Sequence, residues 1–269
     1  MTLASLLGLL IGIVLGLTGA GGGILAVPAL VLGMGFQMAQ AAPIALIAVA
    51  LASGLGAIAG LRRGIVRYRA ALLMAAIGCL TSPLGLMAAH HIPNGWLMTI
   101  FSAVMVLVAY RMISGARRTG RQSQEAVEGK SCVLSPSTGR FLWTARSASV
   151  LAGIGAVAGL MTGMLGVGGG FVIVPALRHY SNVPMHGIVA TSLMVIALVA
   201  ARTVAGSIHT GVTLTPVTGA FIVCIVAGMF CGRLVARRVS GRALQYGFGS
   251  ISALVAVLML ARAFLHLVP

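Results

Sequence analysis

Gly19-Ala20-Gly21-Gly22-Gly23-Ile24-Leu25-Ala26-Val27-Pro28-Ala29-Leu30 recurs as Gly166-Val167-Gly168-Gly169-Gly170-Phe171-Val172-Ile173-Val174-Pro175-Ala176-Leu177, an offset of 166 − 19 = 147 residues. Without a gap the same offset pairs Gly16 with Gly163, Leu46 with Leu193, Gly64 with Gly211, Gly85 with Gly232 and Phe101 with Phe248. It also pairs Leu107-Val108-Ala109 with Leu254-Val255-Ala256. Glycine-rich matches alone arise from composition, but a register held from Gly16 to Ala109 marks an internal duplication, the kind common in transporters.

The rest of the chain fixes the solvent in which that duplication folds. Of its 269 residues 59% are hydrophobic and only 7% charged, with a mean hydropathy of +1.08. A soluble domain averages about a quarter charged residues, so this chain lacks the polar surface to face water. Apolar runs of spanning length recur, among them Ala41 to Leu61, Ala70 to Ala89, Gly187 to Gly206 and Ala243 to Leu265. The expected fold is an all-α polytopic membrane protein of two inverted-topology repeats. Each repeat has a glycine-broken short helix pair followed by three spanning helices. Residues 1–113 form the first repeat, 114–147 a polar, basic cytoplasmic linker that includes the only acids, Glu125 and Glu128, and 148–269 the second repeat.

The formal net charge of +16 does not point to nucleic acid, because the arginines cluster in short loops and act as topology signals. Arg62, Arg63, Arg67 and Arg69 place one loop of the first half in the cytoplasm, and the basic linker agrees after two further spans. The equivalent loop of the second half, 208–214, has no Lys or Arg, whereas Arg233, Arg237, Arg238 and Arg242 crowd the next one. The alternation is opposite, so the halves are expected to be inverted, with both termini outside. Only Arg202 and Arg262 fall off the cytoplasmic side. Met1 to Ser5 carries no basic n-region, so no removable signal peptide is expected.

Within each half a short apolar stretch follows the glycines. Ile24 to Phe36 would make a helix of only ~20 Å against a hydrocarbon core of about 30 Å. Pro28 and Pro175 either kink these helices or lie in their first turn. Either way, non-helical backbone lies at membrane depth, which is tolerated where it is buried in protein or lines a polar cavity. Successive glycine amides ahead of a helix N-terminus suit an anion. The bland alternative is close helix packing through small residues. The candidate anion-binding residues are therefore Gly19, Gly21, Gly22 and Gly23, with Gly166, Gly168, Gly169 and Gly170.

No Asp or Glu stands in any apolar span, which excludes carboxylate-based ion coupling. Arg202, a lone cation near the end of its span, is a further candidate ligand for the anion, weighed against snorkelling to the interface. Thr191 and Ser192, early in the same span, are candidate hydroxyl donors, weighed against bonding to their own helix. The cysteines Cys79, Cys132, Cys224 and Cys231 show no metal spacing. No metal and no cofactor is expected; the partners expected are the small anion and the bilayer, with homo-oligomerisation left open.

These residues resemble the TauE/SafE family of sulfite exporter-like permeases, also called toluene-sulfonate uptake permeases. The resemblance rests on Gly19-x-Gly-Gly-Gly23 with Pro28, Gly166-x-Gly-Gly-Gly170 with Pro175, and Ala190-Thr-Ser-Leu193. It implies transport of sulfite, sulfonates or related organic anions across a bacterial or archaeal inner membrane. One departure is that Ile44-Ala45 stands where the second half has Thr191-Ser192. The function expected is a secondary carrier for small anions by alternating access, not an enzyme. The alternatives are an intramembrane thiol or sulfur carrier, which would use Cys224 and Cys231 on one helix face, and a passive anion channel.

Overall fold

A computed structural model describes residues 2–19, 22–118, 144–181, 183–207, 215–235 and 241–267. Among them lie ten α-helices and no strand: α1 (Thr2–Thr18), α2 (Gly22–Met34), α3 (Met38–Arg62), α4 (Tyr68–His91), α5 (Asn94–Arg118), α6 (Ala145–Leu165), α7 (Gly170–Tyr180), α8 (Met185–Ser207), α9 (Pro216–Val235) and α10 (Gly241–Leu267). Adding 147 to each start of the first five gives positions 149, 169, 185, 215 and 241, so the duplication reaches the helix boundaries themselves. Seven helices (α3, α4, α5, α6, α8, α9 and α10) are long and apolar enough to cross a membrane. One detail breaks the expected symmetry: α6 has 21 residues and spanning length, whereas α1 has 17. A capping box in which the Thr144 and Ser147 side chains take each other's backbone amides starts α6; it satisfies donors the helix leaves open. The linker expected over 114–147 falls mainly on residues outside those described; α5 continues to Arg118 and α6 begins at Ala145. The loop 208–214 and residues 236–240 also lie outside them.

Helix pairing obeys the repeat. α1 packs on α9 as α6 packs on α4, α5 pairs with α10, and α3 with α8. The first two interfaces are zippers of glycine against backbone. Gly8, Gly12 and Gly16 sit on the carbonyls of Phe221, Ile225 and Met229. Their repeat mates Gly155, Gly159 and Gly163 sit on those of Met74, Gly78 and Ser82, which are themselves the mates of Phe221, Ile225 and Met229. Small residues let the backbones approach, and dispersion and polar contacts then hold helices that gain nothing from leaving lipid. At one step the halves differ. Gly228 lies on the Leu9 carbonyl, and its mate Thr81 instead donates its hydroxyl to the Ala156 carbonyl at 3.0 Å.

In both zippers residue numbers rise together, so α1 runs parallel to α9 and α4 to α6. Along α3 and α8 they run oppositely: Gly56 abuts Leu193, Gly60 abuts Ala190, and the turn residue Ile65 lies beside Gly187. The outer surface is apolar, with Leu80, Leu84, Val223 and Leu234 among the most exposed side chains. A face of this composition suits lipid rather than water.

Candidate functional site

Among the described residues, the two half-length helices α2 and α7 each start at one of the two glycine stretches. α1 and α6 both end on a left-handed glycine. Gly19 (φ 71) donates to the Leu15 carbonyl and Gly166 (φ 72) to that of Thr162, the mate of Leu15. After the break α2 starts at Gly22 and α7 at Gly170. Pro28 and Pro175 thus sit inside their helices, resolving the choice left open by the sequence: glycine starts each short helix, and proline loosens it at its second turn by withholding one donor. With 13 and 11 residues, α2 and α7 reach only ~20 and ~17 Å. Gly168 (φ 77) and Gly169 (φ 62) hold backbone that other residues rarely adopt.

These breaks come together. A Cβ on Gly23 would stand 2.7 Å from the Val167 carbonyl oxygen and 3.4 Å from Val49. One on Gly168 would stand 3.0 Å from Ile196 and 3.1 Å from the same Val49. Val49 in α3 and Ile196 in α8 are themselves repeat mates and are buried. Gly19 abuts Val189 as Gly166 abuts its mate Ala42. The first turn of α2 and the glycine turn leading into α7 therefore meet at Val49, with Ile196 on the α7 side. Helix geometry leaves the leading amides of α2 and α7 without intrahelical acceptors, and each N-terminus carries a partial positive charge of about +0.5. Among the described residues there is no Asp or Glu, so none of them brings a side-chain carboxylate to this spot. Gly21 lies outside the described residues.

A cleft of about 240 Å³ leads toward the break in the second half. Its walls come from the start of α3 (Met38, Ala42, Leu46), the end of α4 (Leu86, His90) and the end of α6 (Gly163, Met164), with Asn94 at the head of α5. Ala42 belongs to the wall and also touches Gly166, so the cleft floor adjoins the glycine break.

The other candidates are dispersed. The Thr191 hydroxyl donates to the Gly187 carbonyl at 2.7 Å and accepts the Arg67 backbone amide at 3.0 Å. Ser192 donates to the Val189 carbonyl at 2.9 Å. Arg202 lies 11 residues further along α8, ~16 Å away at 1.5 Å per residue, so it and Thr191 do not grip one small anion together. Arg202 is exposed and stands behind the cleft wall: a Cβ on Gly206 would lie 3.6 Å from Arg202 Nη1 and 3.9 Å from Leu86 Cδ2. Cys231 faces outward, Cys224 packs beside Gly8, and Cys79 reaches the Leu198 carbonyl. Two arginines emerge that the sequence reading passed over as a topology signal and an exception. Arg262 donates to the Val31 carbonyl at 2.7 Å, closing the last turn of α2, and Arg233 donates to the Gly56 carbonyl at 3.1 Å. The repeat register held the clue, since the mate of Arg233 is the cleft-wall residue Leu86.

Duplicated five-helix units, each with a half-length second helix that starts on glycine, define a multi-pass membrane protein of the transporter class. Residues 4–259 match the family described as Sulfite exporter TauE/SafE, and the chain belongs to that family. Two proteins of Xylella fastidiosa, strains Temecula1 / ATCC 700964 and 9a5c, are each 28% identical to it with both chains covered completely, and each is named Probable membrane transporter protein. No solved structure matches.

Proposed function

We propose that this transporter is a secondary carrier of small anions, sulfite and organosulfonates foremost, and that the anion is held where the first turn of α2 meets the glycine turn leading into α7. The observation that carries the reading is that meeting at Val49, among described helices that contain no carboxylate. Two facing helix N-termini form a fixed positive centre that costs no reorganisation when an anion arrives. The family name supplies sulfite as the first anion to try.

The packing supports alternating access. α3 and α8 meet antiparallel although they are copies of one segment, which supports inversion of the repeats and a pseudo-two-fold axis in the membrane plane. With the arginines of residues 62–69 inside, both termini lie outside in a bacterial or archaeal inner membrane. An inside-negative potential then drives anion exit by about 2.3 kcal/mol per charge per 100 mV, so export needs no coupling ion.

Calorimetric titration of the purified protein with sodium sulfite and with methanesulfonate tests the site. The expected result is a single saturable isotherm, weakened about tenfold or more in Gly23→Ala, where the added methyl displaces the Val167 carbonyl. Absence of saturable binding for both anions would overturn the assignment.

A further inference from the structure

We propose that Arg233 is a latch that holds shut a second access route, the repeat-related counterpart of the cleft, and that breaking its bond to Gly56 opens that route. The proposal rests on the carrier reading above. The pseudo-symmetry locates the counterpart. The cleft-wall residues Ala42, Leu46, Leu86, Gly163 and Met164 map by 147 onto Val189, Leu193, Arg233, Gly16 and Leu17.

On this second face the space is filled. Val189 replaces Ala42 and presses its methyl groups onto Gly19. Arg233 replaces Leu86, and its guanidinium crosses from α9 to α3 to donate to the Gly56 carbonyl at 3.1 Å. Leu193 closes on Gly56 from α8, and Met229 from α9. The Gly56 carbonyl belongs to a helix interior, so the arginine adds a bond to an acceptor that α3 already employs. Such a bond is dispensable to α3 and suits a contact that must break in each cycle. Gly16, whose mate Gly163 lines the open cleft, lies against the Arg233 backbone amide, so any outward shift of α9 that frees Arg233 also unseats α1. One face is therefore open and its copy closed, with Arg233 bridging the two helices that must part.

Site-directed thiol labelling tests this on the full chain with Cys79, Cys132, Cys224 and Cys231 replaced by alanine and reconstituted in vesicles. Single cysteines are placed at Leu46, on the cleft wall, or at its mate Leu193. A small membrane-impermeant thiol reagent is applied from either side. With Arg233 in place, Leu46→Cys, whose side chain lines the cleft, is expected to react faster from the cleft side than Leu193→Cys does from either side. Arg233→Leu, which gives α9 the residue α4 carries, is expected to raise Leu193→Cys labelling from the arginine-rich side about tenfold and to lower that of Leu46→Cys. Arg233→Gln, too short to reach Gly56, is expected to act in the same sense and serves where the leucine variant fails to fold.

Leu193→Cys labelling that stays unchanged in both Arg233 variants overturns the latch. Saturating sodium sulfite on the parent separates this from failure of the carrier reading. A reciprocal change at Leu46→Cys and Leu193→Cys upholds alternating access whatever the Arg233 variants do, and no change at either position overturns it.

Discussion

Adding one methyl group at Gly159 is expected to cost more than any other alanine substitution on α6 outside its glycine end. A Cβ there would press into the Gly78 carbonyl and the Thr81 hydroxyl, and into the Gly78 Cα. Non-bonded carbons sit about 3.5–4.0 Å apart at their optimum, so α4 and α6 must separate by roughly 1 Å. Both neighbours at Gly78 are backbone and cannot rotate aside. Overpacking of this kind costs about 1–3 kcal/mol. The shift also stretches the 3.0 Å bond from Thr81 to Ala156, worth about 0.6 kcal/mol between membrane helices. The sum is about 2–4 kcal/mol. Gly153, on the same helix, has nothing within 4 Å of its Cβ position, so Gly153→Ala is expected to be neutral or to stabilise by up to about 1 kcal/mol. Equilibrium unfolding in mixed micelles, followed by far-UV circular dichroism, measures both. Equal midpoints for Gly159→Ala and Gly153→Ala would refute the backbone zipper. Gly12→Ala, the repeat mate, is expected to match Gly159→Ala, since its Cβ meets the Ile225 backbone in the same way.

Gly169→Ala, strained by φ 62 and by a Cβ 2.6 Å from the Ala158 carbonyl, is expected to abolish sulfite flux in vesicles while leaving insertion near normal; normal flux would move the anion off these amides. Arg202→Lys is expected to leave the apparent affinity for sulfite within about twofold of wild type, because Arg202 stands behind the cleft wall and an ammonium reaches the interface too; a drop of about tenfold would make Arg202 a ligand. Arg262→Gln removes the donor to Val31 and is expected to cost about 1–2 kcal/mol in the same micelle unfolding assay. Cysteines at the exposed repeat mates Tyr68 and Thr215 are expected to be labelled by an impermeant reagent from opposite sides of the membrane, and labelling from one side would contradict inversion.

The duplication was legible because it is written in glycine, and glycine here is what close backbone contact demands: Gly8, Gly12 and Gly16 and their mates all touch carbonyls. The half-length helices could be read from the distance between the glycines and the next polar turn. What the sequence withheld depends on partners far away in the chain. Thr191 could be read as a ligand donor or as bonded to its own helix; it does bond the Gly187 carbonyl, and it also accepts the Arg67 amide 124 residues earlier, a pairing no local pattern encodes. Pro28 and Pro175 fit two helix starts equally well until the left-handed glycines placed the first turn. Arg233 looked like one more loop charge because its reach to Gly56 spans 177 residues, although the register had already paired it with Leu86. The cleft itself needs four helices at once and leaves no linear signature.

Flux through the reconstituted protein distinguishes carriage from leak. Purified protein in vesicles loaded with labelled sulfite should release it at a rate that saturates with internal sulfite and that rises when unlabelled sulfite is supplied outside, as a carrier returning loaded would behave. Release that grows linearly with concentration and ignores external sulfite, or that does not exceed that of protein-free vesicles, would contradict the account.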